Sequence, residues 1–441
     1  MQTVGETGGS TAEELTSHDK ATVQKRTVIT LLFSQASGGV GLVATYIVTA
    51  LLAKDITGSK VLATVAASCL SIGAAAASFP LARIMNSQGR RAGLRFGYLL
   101  GAGGAAIAVV AAIIGSPAAI SYPLLCLGVL GAGVGNAANL ATRYAASDLA
   151  SDERRARTIS FIVWATTIGS TTGSVVSGTA SDIGESIGLP VKAGSYLLSA
   201  IMFLVAASIV ETRLRPDPLH LARALGAKAG DKQSKANARE SIGLIMANPA
   251  ARLAVGAMIV SQVTMVGVMA LTPLHMNEGG QTQSVIGWMM AFHIWGMYLL
   301  SPIIGSLTDR LGQYPMLYIA GAFCTAGAGW AALTPPEGVL GVFMGNFLIG
   351  LGWCFGVVAG SSLLVSQFPL EQRVGVQGVG DLAMIGSGAF AGLSSGLLYT
   401  FLGYGGVNTG NAAFGLLLVL GTAATYVVVR KARRDEPALQ V

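Results

Sequence analysis

Half of the chain's fourteen methionines fall between residues 258 and 297: Met258, Met265, Met269, Met276, Met289, Met290 and Met297. At about 100° per residue, positions 258, 265, 269 and 276 share one arc of a helix, with Gln262 at its edge and His275 beside the last of them. Beyond a short polar loop, Met290, His293 and Met297 share a second face. Two four-residue spacings result, Met265-Val-Gly-Val-Met269 and His293-Ile-Trp-Gly-Met297. Thioether sulfur and neutral imidazole make a soft, uncharged ligand set, which suits Cu(I) far better than cations that seek oxygen. Methionine also fills irregular gaps in apolar cores, so packing competes with ligation at each position, and it is the preferred reading of Met258 and Met276. An ionisable imidazole inside an apolar segment needs a partner, which tilts His293 toward function.

The elements that must position these groups are set by composition. Apolar residues make up 52% of the 441, charged residues 11%, and the mean hydropathy is +0.62, which places the chain among polytopic membrane proteins. Twelve apolar segments approach the twenty-residue spanning length, at about 27–53, 60–84, 92–115, 119–146, 157–180, 190–211, 251–276, 284–308, 314–334, 337–366, 374–400 and 406–430. Residues 1–25 are polar and read as a disordered cytoplasmic tail, as do residues 432–441 at the other end. Bundles at 26–211 and 250–431 are joined by a basic cytoplasmic linker, 212–249, with a surface helix expected near 219–229.

With the N-terminus inside, the basic residues divide so that only Lys54, Lys60 and Lys192 lie outside. Both termini are therefore expected in the cytoplasm, and the membrane is expected to be the cytoplasmic one. The net charge of +7 follows from this asymmetry and gives no sign of nucleic-acid binding, because the basic residues are scattered over inside loops. Cys69, Cys126, Cys324 and Cys354 lie in apolar spans without metal or redox spacing. The chain carries no phosphate-cradling loop and no His-Glu-x-x-His, and it has only four histidines, so an enzyme is the least expected class.

The chain repeats itself. Asn86-Ser87-Gln88-Gly89-Arg90-Arg91 after the second segment aligns with Gly305-Ser306-Leu307-Thr308-Asp309-Arg310-Leu311-Gly312 after the eighth, and Glu153-Arg154-Arg155 aligns with Glu371-Gln372-Arg373. Six helices followed by six in the same orientation is a parallel repeat. Gly305-x-Leu307-x-Asp309-Arg310-x-Gly312 is similar to the signature loop of the major facilitator superfamily, and the twelve-segment layout resembles that family from Arg26 onward. The resemblance implies an all-α membrane protein of two six-helix bundles, with Asp309 and Arg310 latching helix ends. The first copy has Asn86 and Ser87 where the acid and base would stand.

The methionine and histidine pairs further resemble the copper-importing, CcoA-like branch of that family. By position, this resemblance implies Met265, Met269, His293 and Met297 as copper ligands, with copper as transported substrate, no resident cofactor and a cytoplasmic copper acceptor as partner. The seventh and eighth segments, being consecutive and antiparallel, are expected to be neighbours, so that the four residues converge at mid-membrane. Accessory roles fall to Met258, Gln262, His275, Met276 and Met290. Asp381 is the clearest acid in an apolar span, either a coupling group or a structural partner of Gln377; the latter is preferred. Arg143, with Asn136 and Asn139, lines the cavity or ties helix ends. Gly169, Gly173 and Gly178, with Gly388, Gly392 and Gly396, are expected to let the halves approach and rock. Two rivals remain: an efflux pump for hydrophobic compounds with the methionines as a greasy wall, and a non-transporting copper receptor or assembly factor.

Overall fold

The computed structural model describes residues 7–190, 192–226, 237–281 and 283–435, and among them there is no strand. The first bundle comprises α1 (Thr7–Thr57), α2 (Lys60–Gln88), α3 (Arg90–Ile114), α4 (Ala118–Ser147), α5 (Arg155–Ser186) and α6 (Ala193–Arg213). Helices α7 (Pro218–Gly226) and α8 (Ala238–Ala247) belong to the linker. The second bundle holds α9 (Pro249–Met269), α10 (Thr272–Glu278), α11 (Gln283–Tyr298), α12 (Ser301–Leu311), α13 (Gln313–Leu333), α14 (Val339–Ser366) and α15 (Leu370–Asp435). Helix α1 begins at Thr7, so most of the stretch expected to be an unstructured tail is helical; residues 1–6 and 436–441 lie outside the described residues.

One helix per crossing fails in three places. At 66 residues, α15 would be about 100 Å long if straight, three times the apolar thickness of a bilayer. Gly403, at φ +64°, breaks it into two arms, a conformation that glycine adopts without a Cβ clash, and the twelfth crossing is the second arm. The seventh crossing is split between α9 and α10, and the eighth between α11 and α12. Each break precedes a proline, Pro273 or Pro302, whose ring nitrogen cannot donate to the carbonyl four residues back. For Pro302 that carbonyl is Tyr298's, and the Ser301 hydroxyl donates to it instead at 2.7 Å. Helix α9 starts sharply because Asn248 caps the amides of Ala250 and Ala251 at 2.9 and 3.2 Å and Pro249 opens the first turn.

Small residues set the packing distances. A Cβ on Gly104 of α3 would lie 2.5 Å from the Gly128 carbonyl oxygen of α4, so these helices meet backbone to backbone. The glycines expected to sit between the halves work inside each bundle instead. Gly169 and Gly173 of α5 pack on α1, at Ala36, Gly39 and Val40, while Gly388 and Gly392 of α15 meet Gln262 and Val266 of α9. No atom lies near the position of a Cβ at Gly178 or Gly396. The bundles meet along two other seams, α2 against α15 and α5 against α12. At the first, a Cβ on Gly378 would fall 2.4 Å from that of Ala82, and at the second a Cβ on Gly305 would strike the Ser160 hydroxyl.

The linker helix is not simply laid on a membrane surface. Asp217 caps α7 by accepting from the amides of Leu219 (3.0 Å) and His220 (3.3 Å), and its other oxygen accepts from the Arg91 amide in the first turn of α3 at 2.8 Å. One carboxylate thus serves the positive ends of two helices. Arg223 donates to the backbone and side-chain oxygens of Asn86. The loop that lacks the family's acid is held by an acid from the linker. Asp217→Ala is expected to destabilise the chain by about 1–3 kcal/mol through the uncapped amides, read as a lower thermal melting midpoint; an unchanged midpoint would show the contact to be idle.

Candidate functional site

The end of the molecule that carries the α2–α3, α4–α5 and α12–α13 connections and the linker is called the linker face below. Between the bundles lies a narrow cavity of about 50 Å³, lined by Gln35, Asn136, Asn139, Arg143, Tyr298 and Trp353 among others. Its polar groups are tied in place. Thr142 donates to Gln35 (2.6 Å), Gln35 donates to Thr166 (2.9 Å), and Tyr98 donates to Asn139 (2.8 Å). The Trp353 indole donates to Gln262 at 2.8 Å, and its ring stands edge-on to Tyr298 with centroids 5.4 Å apart.

On the linker side the cavity is sealed by charge. Arg143 of α4, 2% exposed at its side chain, forms an ion pair with Asp381 of α15 and donates to Ser361 of α14 at 3.2 Å. Tyr144 adds a hydrogen bond to Asp381 at 3.3 Å. A second buried set lies nearer the linker face, where Arg90 pairs with Asp148 at 2.8 Å and donates to Gln377 at 2.7 Å. Asp381 therefore pairs across the bundles with Arg143, while Gln377, its expected partner, is taken by Arg90. The hydrogen bonds described between the bundles lie in this half. The structure is closed at the linker face.

Of the two residues expected to latch helix ends, one makes a contact between the bundles. Asp309 accepts from the amides of Ala156 (2.9 Å) and Arg157 (2.8 Å), so the acid of α12 caps α5 of the other bundle. Arg310 is exposed and has no hydrogen bond or ion pair described; it lines a surface groove beside Arg157. The buried arginines of this region are Arg90, in the first copy of the loop, and Arg155, at the start of α5.

The methionine and histidine set is brought to the same bundle, on two helices that each pack against a third. Helix α14 lies between α9 and α11: each packs on α14, and the two share no packed interface of their own. The expected neighbour relation between the seventh and eighth crossings holds where α10 meets α11, but α9 and α11 are interleaved by a helix that comes later in the chain. Met265 (6% exposed) and Met297 (5%) belong to the main apolar core, with Met269 packed against it. Met258 is fully buried against Gly360 and close to Gly380, a packing role. Met276 and Met289 form a small separate cluster with Ile286 and Val342, and Met290 packs against it. His275, expected at an outer mouth, is buried; its Nε2 meets the Thr334 carbonyl at 3.0 Å and its ring stacks on Tyr404. Gln262 is the acceptor for Trp353.

His293 is different. It is fully buried, its Nδ1 lies 2.7 Å from the Asn346 carbonyl oxygen, and its Nε2 has no hydrogen-bond partner. A carbonyl can only accept, so Nδ1 carries the proton and Nε2 presents a free lone pair. An imidazole fixed this way by a backbone carbonyl is the usual arrangement of a metal-ligating histidine. Tight packing holds the geometry: a Cβ on Gly350 would lie 2.6 Å from the His293 carbonyl oxygen, so α11 and α14 touch at this level. Asn346 is a residue the sequence reading missed, although an amide inside the apolar run 339–366 is the same kind of signal that singled out Asp381.

Two six-helix bundles, a sealed cavity between them and helices broken at mid-span together define a membrane transporter architecture, and comparison with known proteins makes the family explicit. The sequence matches the Major Facilitator Superfamily over residues 29–279 and again over 253–440, and the chain belongs to that family. It is 36% identical over 400 residues to the uncharacterized MFS-type transporter YddS of Bacillus subtilis, covering 90% of this chain and 89% of that one. It is 26% identical to the riboflavin transporter RfnT of Brucella anthropi, over 88% of this chain and 92% of that one. In fold it is similar to a bacterial homologue of the iron transporter ferroportin in an outward-facing state, with a TM-score of 0.70 at 14% identity over 92% and 99% of the two chains. The chain is a transporter and not an enzyme.

Proposed function

We propose that this transporter carries copper, as Cu(I), into the cytoplasm across the cytoplasmic membrane by alternating access, with the basic linker face inside. The observation that carries the reading is the free Nε2 of the buried His293, held by the Asn346 carbonyl and four residues from Met297. Because α14 separates the two pairs, the ion would pass between Met265/Met269 and His293/Met297 in succession. Weak thioether donors suit such a passage, since a transported ion must be released again.

A second reading, transport of a small polar aromatic molecule, is favoured by the cavity wall itself. Amides of Gln35, Asn136 and Asn139, with the rings of Tyr298 and Trp353, suit hydrogen bonding and stacking, and one relative is named as a riboflavin transporter. The test is uptake of radioactive copper under reducing conditions, and of labelled riboflavin, into cells expressing wild type, His293→Ala, Met265→Ala or Trp353→Ala at equal membrane levels. Copper uptake reduced about 10–100-fold by the first two variants supports import through the Met/His residues. Riboflavin uptake sensitive to Trp353→Ala alone favours the second reading. Copper uptake by none of the proteins overturns the first.

A further inference from the structure

The break between α9 and α10 gathers several buried polar atoms that have no hydrogen-bond partner among the described residues. Residue 273 is proline and brings no N–H to the Met269 carbonyl. Unlike the Tyr298 carbonyl at the other break, no side chain replaces it. The Leu271 amide donates to the Val268 carbonyl at 3.2 Å, leaving that of Gly267 without its usual donor. Both carbonyls belong to the C-terminal end of α9, the negative pole of its dipole.

Against this end stand side chains from three helices. The Thr272 hydroxyl has one proton, and it goes to the Val268 carbonyl at 2.8 Å. Its oxygen nonetheless lies 3.1 Å from the Tyr404 hydroxyl and 3.4 Å from Oδ1 of Asn346. Tyr404 can supply the first of these with a proton, and Nδ2 of Asn346, which donates to the Val342 carbonyl at 2.9 Å, also reaches the Thr272 oxygen at 3.4 Å; no further proton is described for the Asn346 Oδ1. Asn408, one turn beyond Tyr404 and fully buried, has no partner for either its oxygen or its nitrogen. Asn411 sits against Gly267, with its Nδ2 also unpartnered. Unsatisfied groups at such depth are costly, and a native chain keeps them for an occupant.

We propose that this break binds a sodium ion. The oxygens of Thr272, Asn346 and Asn408, with the Met269 and Gly267 carbonyls, form a neutral, oxygen-only set at the end of a half-helix, which is how broken transporter helices hold monovalent cations. A divalent ion is a poor fit, because it calls for carboxylates and none stands among these residues. The separation of 3.4 Å between the Thr272 oxygen and Oδ1 of Asn346 matches the edge of an octahedron of oxygens about 2.4 Å from its centre. The site is also wired to His293: Asn346 faces the break with its side chain and accepts from the imidazole with its carbonyl. Sodium bound here and substrate bound at His293 thus share one residue, the requirement for a driving ion.

The test is binding of radioactive sodium to the purified full-length protein in lipid nanodiscs, with no copper or other substrate present, so its outcome is independent of the proposed cargo. Saturable binding is expected, displaced by lithium and insensitive to choline. Asn408→Ala is expected to weaken it about tenfold or more, and Thr272→Val, nearly the same shape, to do likewise. Thr212→Ala, at the exposed end of α6, is expected to leave it unchanged. Thermal melting verifies that each variant is folded, and the isosteric Thr272→Val keeps the test decisive if Asn408→Ala is not. No saturable binding, or equal binding in Thr272→Val, would mean that water fills the break and would overturn the proposal.

Discussion

Replacing Asp381 by alanine is expected to abolish transport and to destabilise the closed linker face by about 3–5 kcal/mol, the usual consequence of leaving a buried charge without its partner. Arg143 is 2% exposed at its side chain, and its remaining contacts are the hydroxyls of Ser361 and Tyr144 and the Leu140 carbonyl, all uncharged. Nothing else described can neutralise it. Substrate flux into proteoliposomes and the thermal melting midpoint measure the two effects. The pair Arg143→Met with Asp381→Leu separates them, because it removes both charges: the melting midpoint is expected to return while flux stays absent. Wild-type flux in Asp381→Ala would show that the pair has no part in the cycle.

Gly305→Leu is expected to hold the linker face open. The added side chain would meet the Ser160 hydroxyl and, at 2.8 Å from its Cβ, the Ala156 carbonyl oxygen, so α5 and α12 cannot close as they do here. Displacing α5 also takes its first amides from Asp309. Overpacking of this kind costs about 1–3 kcal/mol, enough to shift the balance of closed and open forms roughly 5–150-fold. Spin labels at the exposed positions Arg157 and Arg310 report the seam directly. A longer distance in the variant, with transport lost, is the expected result; an unchanged distance would mean that the helices absorb the side chain locally.

Much of this arrangement is legible in the chain because a membrane imposes strong rules on it. Segment length gave the crossings, the repeated loop gave the two bundles, and a lone acid in an apolar run pointed to Asp381. What spacing cannot carry is contact between distant segments. Arg143 lies 238 positions from Asp381, and no periodicity joins them, so the nearer Gln377 was the natural partner to expect. The same limit governs the Met/His residues. Each pair is visible as a four-residue spacing, but whether the pairs meet depends on which later helix slots between them, and α14 does. The breaks had a local signal in Pro273 and Pro302, which, set in long apolar runs, mark where a helix must interrupt its bonding.

The docking of α7 has a consequence for how far the bundles can swing. A linker of the length between Arg213 and Ala238 would be slack enough to permit any rotation, but Asp217 and Arg223 fasten its first part to the α2–α3 loop. At the other end, α8 rests on α15. Helices α7 and α8 are separated in sequence only by the stretch from Gly226 to Asn237, which, whatever its conformation, spans at most about 40 Å. The linker is therefore a short leash, tied at both ends, and its length sets an upper bound on the opening of the face it spans.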